Sequence, residues 1–222
     1  MAAPRFIPED RLEQLPIFPL VDVHLFPGTL LPLHIFEPRY VELLQDALAG
    51  DRALAMAAID SDLAREGDPN PPVHPVLGAG IIVAARPTGD GRWTIILKGT
   101  DRLRLVEELP VDTPYRQVRA ERLIETPAPL DHPAYERLRQ MVAGLAMQAP
   151  DAEKALTLLL SQASSPSALT DLLGAHATSD AQVRQRLLSC VDVAERLELC
   201  CDAVGRLLLE VADGPGETRY AN

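Results

Sequence analysis

Five histidines, three cysteines and a scatter of carboxylates are the side chains here that could carry chemistry, and their spacing limits what they can do. His24, His34, His74, His132 and His176 include no i,i+4 pair, so no helix presents two imidazoles to one ion and no metal site is expected. His24 and His34 flank Phe26-Pro27-Gly28, a turn that would draw them together. Without a third ligand, their expected role is to hydrogen-bond backbone that the nearby prolines leave unpaired. Acid–base chemistry needs a carboxylate beside a histidine. Glu37 or Asp22 with His34, in a cleft between strands and helices, is the combination that would make a small enzyme. Cys190, Cys200 and Cys201 fall on or beside an apolar helical stripe, where thiols pack as core, and adjacent Cys200 and Cys201 cannot bridge without strain. Gly78-Ala79-Gly80 lacks the third glycine of a dinucleotide turn, having Val83 there, and Lys98-Gly99-Thr100 lacks the glycine loop that would cradle a phosphate. No cofactor is implied.

Contact chemistry has better support. Phe26 beside the turn, Phe36 and Pro38 at the end of a strand, and Arg39 and Tyr40 on a first helical turn would lie close together. They form a candidate protein-binding patch, apolar with a polar rim. For each of these residues the plainer alternative is core packing, or for Glu37 with Arg39 a local ion pair that orients the helix.

The element that must position them is Leu15 to Tyr40, LPIFPLVDVHLFPGTLLPLHIFEPRY. Pro16, Pro19, Pro27, Pro32 and Pro38 exclude a continuous helix, and the β-branched and aromatic residues between them favour two strands around Pro27-Gly28. Prolines inside the runs place these strands at sheet edges or bulges. From Pro38 the period changes: Tyr40, Leu43, Leu44, Ala47 and Leu48 recur at helical spacing up to Gly50. Downstream, Ala53 to Ile59 reads as a buried strand, and Asp60 to Pro75 as an exposed loop. Val76 to Ala85, a hairpin at Thr88-Gly89-Asp90-Gly91, and Arg92 to Leu97 follow. A turn is expected at Gly99-Thr100-Asp101, then strands over Arg102 to Glu107 and Tyr115 to Ile124, together a β meander.

Pro127-Ala128-Pro129 marks the internal boundary, dividing a mainly β subdomain (1–126) from a helical one with a loose tail (127–222). Helices are expected over Asp131 to Ala149, stopped by Pro150, then after an Asp151 cap, then from Ser165-Pro166 to Gly174. Ser179 to Val211 carries a sustained apolar stripe. It reads equally as one helix or as two with a break near Cys190 to Asp192, and Asp213-Gly214-Pro215-Gly216 ends it.

Composition narrows the partners. With 32 acids against 21 bases the net charge is −11, which forgoes the phosphate attraction behind most nucleic-acid affinity. An RNA-binding reading would need a basic groove of Arg102, Arg104 and Arg119. No apolar run is long enough to cross a membrane and the start carries no apolar export segment, so a cytoplasmic location is expected.

The run LPIFPL, the LFPG turn and PLHIFEPRY, in this order, resemble the start of the amino-terminal substrate-recognition domain of Lon ATP-dependent proteases, a domain shared by small standalone Lon-N proteins and cereblon. Gly78-x-Gly80, the DGRW hairpin and LKGTDRLRL extend the resemblance through the β half. Asp192 and Arg196-Leu197 extend it, more loosely, into the last helices. The resemblance implies an α+β fold: a PUA-like β pseudo-barrel with one early helix, followed by a carboxy-terminal helical bundle. It also implies a non-catalytic module that binds unfolded or degron-bearing protein segments, alone or with a protease or chaperone as partner. The phosphate loop and the Ser-Lys dyad of a full Lon protease are absent from the sequence.

Overall fold

A computed structural model describes residues 6–149 and 151–212. Its first half contains α1 (Glu9–Leu12), β1 (Leu15–Leu20), β2 (Leu30–Ile35), α2 (Pro38–Ala49), β3 (Ala53–Ala58), β4 (Val76–Gly89), β5 (Arg92–Glu108) and β6 (Gln117–Arg122). The second is helical: α3 (Pro133–Gln148), α4 (Glu153–Gln162), α5 (Pro166–His176), α6 (Ala181–Ser189) and α7 (Val193–Ala212).

The strands form one mixed sheet of order β2-β5-β4-β3-β1-β6, with β5 pairing β6 as well. β3 to β6 make the expected meander of sequential antiparallel pairs. β1 enters between β3 and β6, parallel to the former, and β2 lies at the edge against β5. Only β2 meets the expectation that proline-bearing strands lie at edges. β1 is tolerated inside because its ladder with β6 ends at Pro16↔Gln117, so Pro19 has no strand on that side. Being unpaired with each other, β1 and β2 form no hairpin.

β3 shows how alternation builds two cores at once. Leu54 and Met56 face the layer under α2, with Leu43, Leu44, Ile82 and Ile95. Ala53, Ala55 and Ala57 face the opposite cluster, with Ile7, Leu15, Ile17 and Leu77. Small side chains serve one face and large ones the other, so the strand is buried throughout. The hairpin turn places Asp90 at φ 53° and Gly91 at φ 73°, the left-handed conformations that a two-residue turn requires.

The turn expected at Gly99 does not occur, and β5 runs through it while changing partners from β2 to β6. Glycine is needed there for a different reason: a Cβ at Gly99 would collide with the Phe26 carbonyl, and one at Gly78 with that of Leu25. The loop 21–29 is thus threaded against glycine backbone.

Ser165 caps α5 through the Ala168 amide at 3.1 Å. Ala152, without a side-chain bond, stands at the start of α4, so Asp151 does not cap it. The last stripe is two helices. Asp192 Oδ1 accepts from the Ala194 and Glu195 amides at 2.9 and 3.1 Å, starting α7. Pro150 and Asp213-Gly214-Pro215-Gly216 lie outside the described residues. Among the described residues, no helix is long and apolar enough to cross a membrane.

Candidate functional site

The residues of the candidate patch separate in the fold. Phe36, at 64% exposure, and Pro38 face solvent, and Arg39 is partly exposed. Tyr40 is buried at 6%, its ring 4.2 Å from that of Phe18, and Arg39 stacks 4.6 Å above it. Phe26 is fully buried, so it is no surface contact. It crosses from the strand half into the helical core beside Leu169, Leu173 and Leu197. There a Cβ on Gly174 would lie 2.7 Å from the Phe26 ring, so α5 passes close enough to need glycine. Phe26 is a key inserted between the two halves.

Arg39 and Tyr40 open onto a cleft of about 520 Å³. Its floor is Pro19, Leu20 and Val21, the stretch of β1 and its turn that pairs β3 on one side but lies beyond the end of the β6 ladder on the other. Pro69 and Pro71 of the long loop form one wall, and Pro114, Tyr115 and Arg116 the other. Val21 is 58% exposed at the rim. Two of the charges around the cleft, Arg39 and Arg116, are paired with acids, and Asp68 accepts from the Asn70 amide at 2.8 Å. Glu37 accepts from Arg39 at 2.9 and 3.0 Å. Glu108 accepts from Arg116 Nε at 3.0 Å, and Arg116 also donates to the Pro71 carbonyl at 2.8 Å. The Tyr115 hydroxyl donates to Asp46 at 2.7 Å, and burial together with that carboxylate pushes its pKa well up. Burial raises the Tyr40 phenol as well, so both tyrosines stay neutral. The result is an open groove of mixed character, with prolines and aliphatic side chains beside neutral hydroxyls, ion pairs, Asp68 and Asn70.

The acid–histidine combination is not assembled around this groove. Glu37 lines it, whereas Asp22 lines a separate small cavity. His34, on the edge strand, bonds the Thr94 hydroxyl at 3.1 Å. His24 is buried, with the Asp22 backbone and the Gln185 side chain beside its ring. The three arginines of an RNA groove are each paired with acid: Arg119 with Glu107 at 2.8 Å, Arg104 with Glu121, and Arg102 with Asp171 and Glu125. Among the described residues, no group of three or more His, Cys, Asp or Glu is placed to hold a metal ion.

The Arg102 cluster has no counterpart in the sequence-based expectations. Arg102 and Arg196 are both almost fully buried, and between them sit Asp171 and Glu125. Arg102 donates to Asp171, to Glu125 at 2.9 Å and to the Leu188 carbonyl at 3.1 Å. Arg196 donates to Glu125 at 2.6 Å, Thr170 at 2.8 Å and the Cys190 carbonyl at 2.8 Å. Burial works to raise the Glu125 carboxyl, but the Ser167 hydroxyl and both guanidiniums draw it below its ordinary value. The only signal in the sequence is Thr170-Asp171 interrupting the run from Leu169 to Leu173.

Residues 14–206 match the family described as the ATP-dependent protease La (LON) substrate-binding domain. The chain belongs to that family. A Lon protease of Trichlorobacter lovleyi is 28% identical over 91% of this chain, and Lon protease 2 of Myxococcus xanthus is 27% identical over 93%. In both cases the match covers 25% of the relative, so the chain spans about a quarter of the length of these proteases. The N-terminal domain of the Mycobacterium avium complex Lon protease superposes with a TM-score of 0.68 at 19% identity, covering 86% of this chain and 98% of that one. A Lon N-terminal domain protein from Xanthomonas campestris does so with a TM-score of 0.64 at 21% identity, covering 85% and 97%. The chain therefore has the Lon N-terminal fold.

Proposed function

We propose that this Lon substrate-binding family member is a non-catalytic module that captures segments of other proteins in the cleft beside Pro19–Val21. The observation that carries the reading is the cleft itself: open along one side of β1, lined by Pro19, Leu20 and Val21 together with polar groups, and bordered by the Glu37–Arg39 and Glu108–Arg116 ion pairs. Such a surface accepts an extended chain through apolar contacts at Pro19, Leu20 and Val21 and polar contacts at the walls. Its clients are unfolded or degron-bearing segments, handed to a protease or chaperone or simply held, in the cytoplasm.

The ring of pairings β5-β4-β3-β1-β6-β5 supports reading the strand half as the pseudo-barrel of PUA-like folds. The strand and helical halves are two subdomains with a shared core at Phe26. Amide and methyl NMR on the full chain, titrated with an unfolded model polypeptide, tests the site. Shifts concentrated at Val21, Arg39, Tyr40 and Arg116 are expected. Shifts confined to the helices would reject the cleft.

A further inference from the structure

At the β2-β5-β4 end of the sheet, one face is buried and the other is open. Leu33, Ile35, Ile82, Ile95 and Leu97 point into the core under α2. The residues alternating with them point the other way. Register sets Leu30 opposite Lys98, Pro32 opposite Ile96 and Ile96 opposite Ala84, so these side chains share the outer face. Leu30 is 56% exposed, Pro32 and Lys98 are exposed, and Ile96 and Ala84 are half-buried. Val83, the extra residue of the bulge between Ile82 and Ala84, is exposed beside them. The centre of this face is therefore apolar.

Its charge is opposite to that of the chain. Thr94 faces Arg86, and alternation from Thr94 puts Arg92 on the same side, so Arg86, Arg92 and Lys98 surround the apolar centre. All three are exposed, and none belongs to an ion pair among the described residues. No strand position on this face is acidic; the hairpin turn holds one acid, Asp90. In a chain with 32 acids and 21 bases, these cations are left for something outside the molecule. Strand addition at the β2 edge is blunted. The Gly99 amide bonds the Thr29 carbonyl at 2.9 Å, so by alternation Leu31 and Leu33 also turn their backbone to β5, and the missing donor of Pro32 falls on the open edge.

We propose that this face is a docking surface, independent of the cleft, for an acidic segment of another protein. The segment's aliphatic side chains cover Leu30, Pro32 and Ile96, and its carboxylates meet Arg86, Arg92 and Lys98. Charge complementarity selects this occupant. A second copy carries −11 and is repelled overall, and a nucleic acid would meet the same net charge with no Phe, Tyr or Trp at these strand positions to stack a base. Exposed ion pairs are individually weak, so the contact is sensitive to salt.

Fluorescence anisotropy on the full chain tests this with three labelled probes: a peptide of glutamates interspersed with leucines, the same peptide with glutamine for glutamate, and an oligouridylate. The glutamate peptide should bind about tenfold more tightly than the glutamine one, and about tenfold more weakly to Arg86→Glu/Lys98→Glu. Leu30→Ser should weaken it about threefold, whereas Val21→Ser, in the cleft, should leave it unchanged, so this surface and the cleft can fail separately. The proposal is overturned if wild type does not distinguish the two peptides, or if the charge reversals or Leu30→Ser leave the affinity as it was. It is also overturned if Val21→Ser abolishes binding or if the oligouridylate binds more tightly than the glutamate peptide. Should the charge reversals not fold, Arg86→Gln/Lys98→Gln replaces them, with about threefold weaker binding expected and an unchanged affinity overturning the proposal.

Discussion

Two seams join the strands to the helices, and they differ in how completely their polar groups are satisfied. At the first, Phe26 fills a slot beside Gly174, and Arg102 and Arg196 reach across to Asp171, Glu125 and backbone carbonyls. At the second, His24, Arg184 and Gln185 meet with ring nitrogens, a guanidinium nitrogen and an amide oxygen unpaired. The first is also the more deeply buried, with Phe26 and Arg196 at 0% exposure, whereas Arg184 of the second is only partly buried. The first is fixed because its charges find partners where water cannot reach, and through the Arg102–Leu188 bond it also holds α6, the helix that carries the less satisfied Arg184 and Gln185 of the second.

The comparison breaks most readily at the first seam. Asp171→Ala removes the buried carboxylate that Arg102 binds and should cost about 3–5 kcal/mol by chemical denaturation, since one partner of a buried pair is lost. A cost under about 1 kcal/mol would mean that the network is not the lock. Phe26→Ala opens a cavity in the helical core and should cost about 3–5 kcal/mol, with client affinity per folded molecule unchanged. Acid titration separates the seams. Glu125, with its lowered folded value, contributes stability that is present above about pH 4.5 and is lost as pH falls through that folded value. His24, also lowered, begins to destabilise already as pH drops below 6.5. Two acid phases in wild type, the earlier one missing in His24→Leu, are expected in urea midpoints measured between pH 7.5 and 3.5. The smallest effect belongs to Phe36→Ser, which should change stability by no more than about 0.5 kcal/mol, because its side chain already faces water.

Local order was largely legible in the sequence. Proline and glycine punctuation located β1, β2, the 89–91 hairpin and the start of α2, and Asp192 marked the start of α7. Partners distant in the chain were not legible. Phe26 reads as an aromatic beside a turn; only the slot at Gly174, far along the chain, makes it core. Gly99 reads as a turn because the carbonyl of Phe26 against it is equally remote. Pro19 suggests an edge because its missing donor is visible, whereas the early end of the β6 ladder is not. Of the candidate contacts, Arg39 and Tyr40 line the cleft, Phe36 and Pro38 stand outside its lining, and Phe26 is core. The remaining cleft walls come from loops at 69–71 and 114–116, joined only by folding.

The central claim is that protein segments bind the cleft beside β1 and not the Phe26 region. Fluorescence anisotropy with a labelled unfolded polypeptide tests it most directly, comparing wild type, Val21→Asp and Phe26→Leu under conditions where all three are folded. The account predicts at least about tenfold weaker binding for Val21→Asp and near-wild-type binding for Phe26→Leu. Equal affinity in Val21→Asp, or a loss seen only in Phe26→Leu, would contradict it.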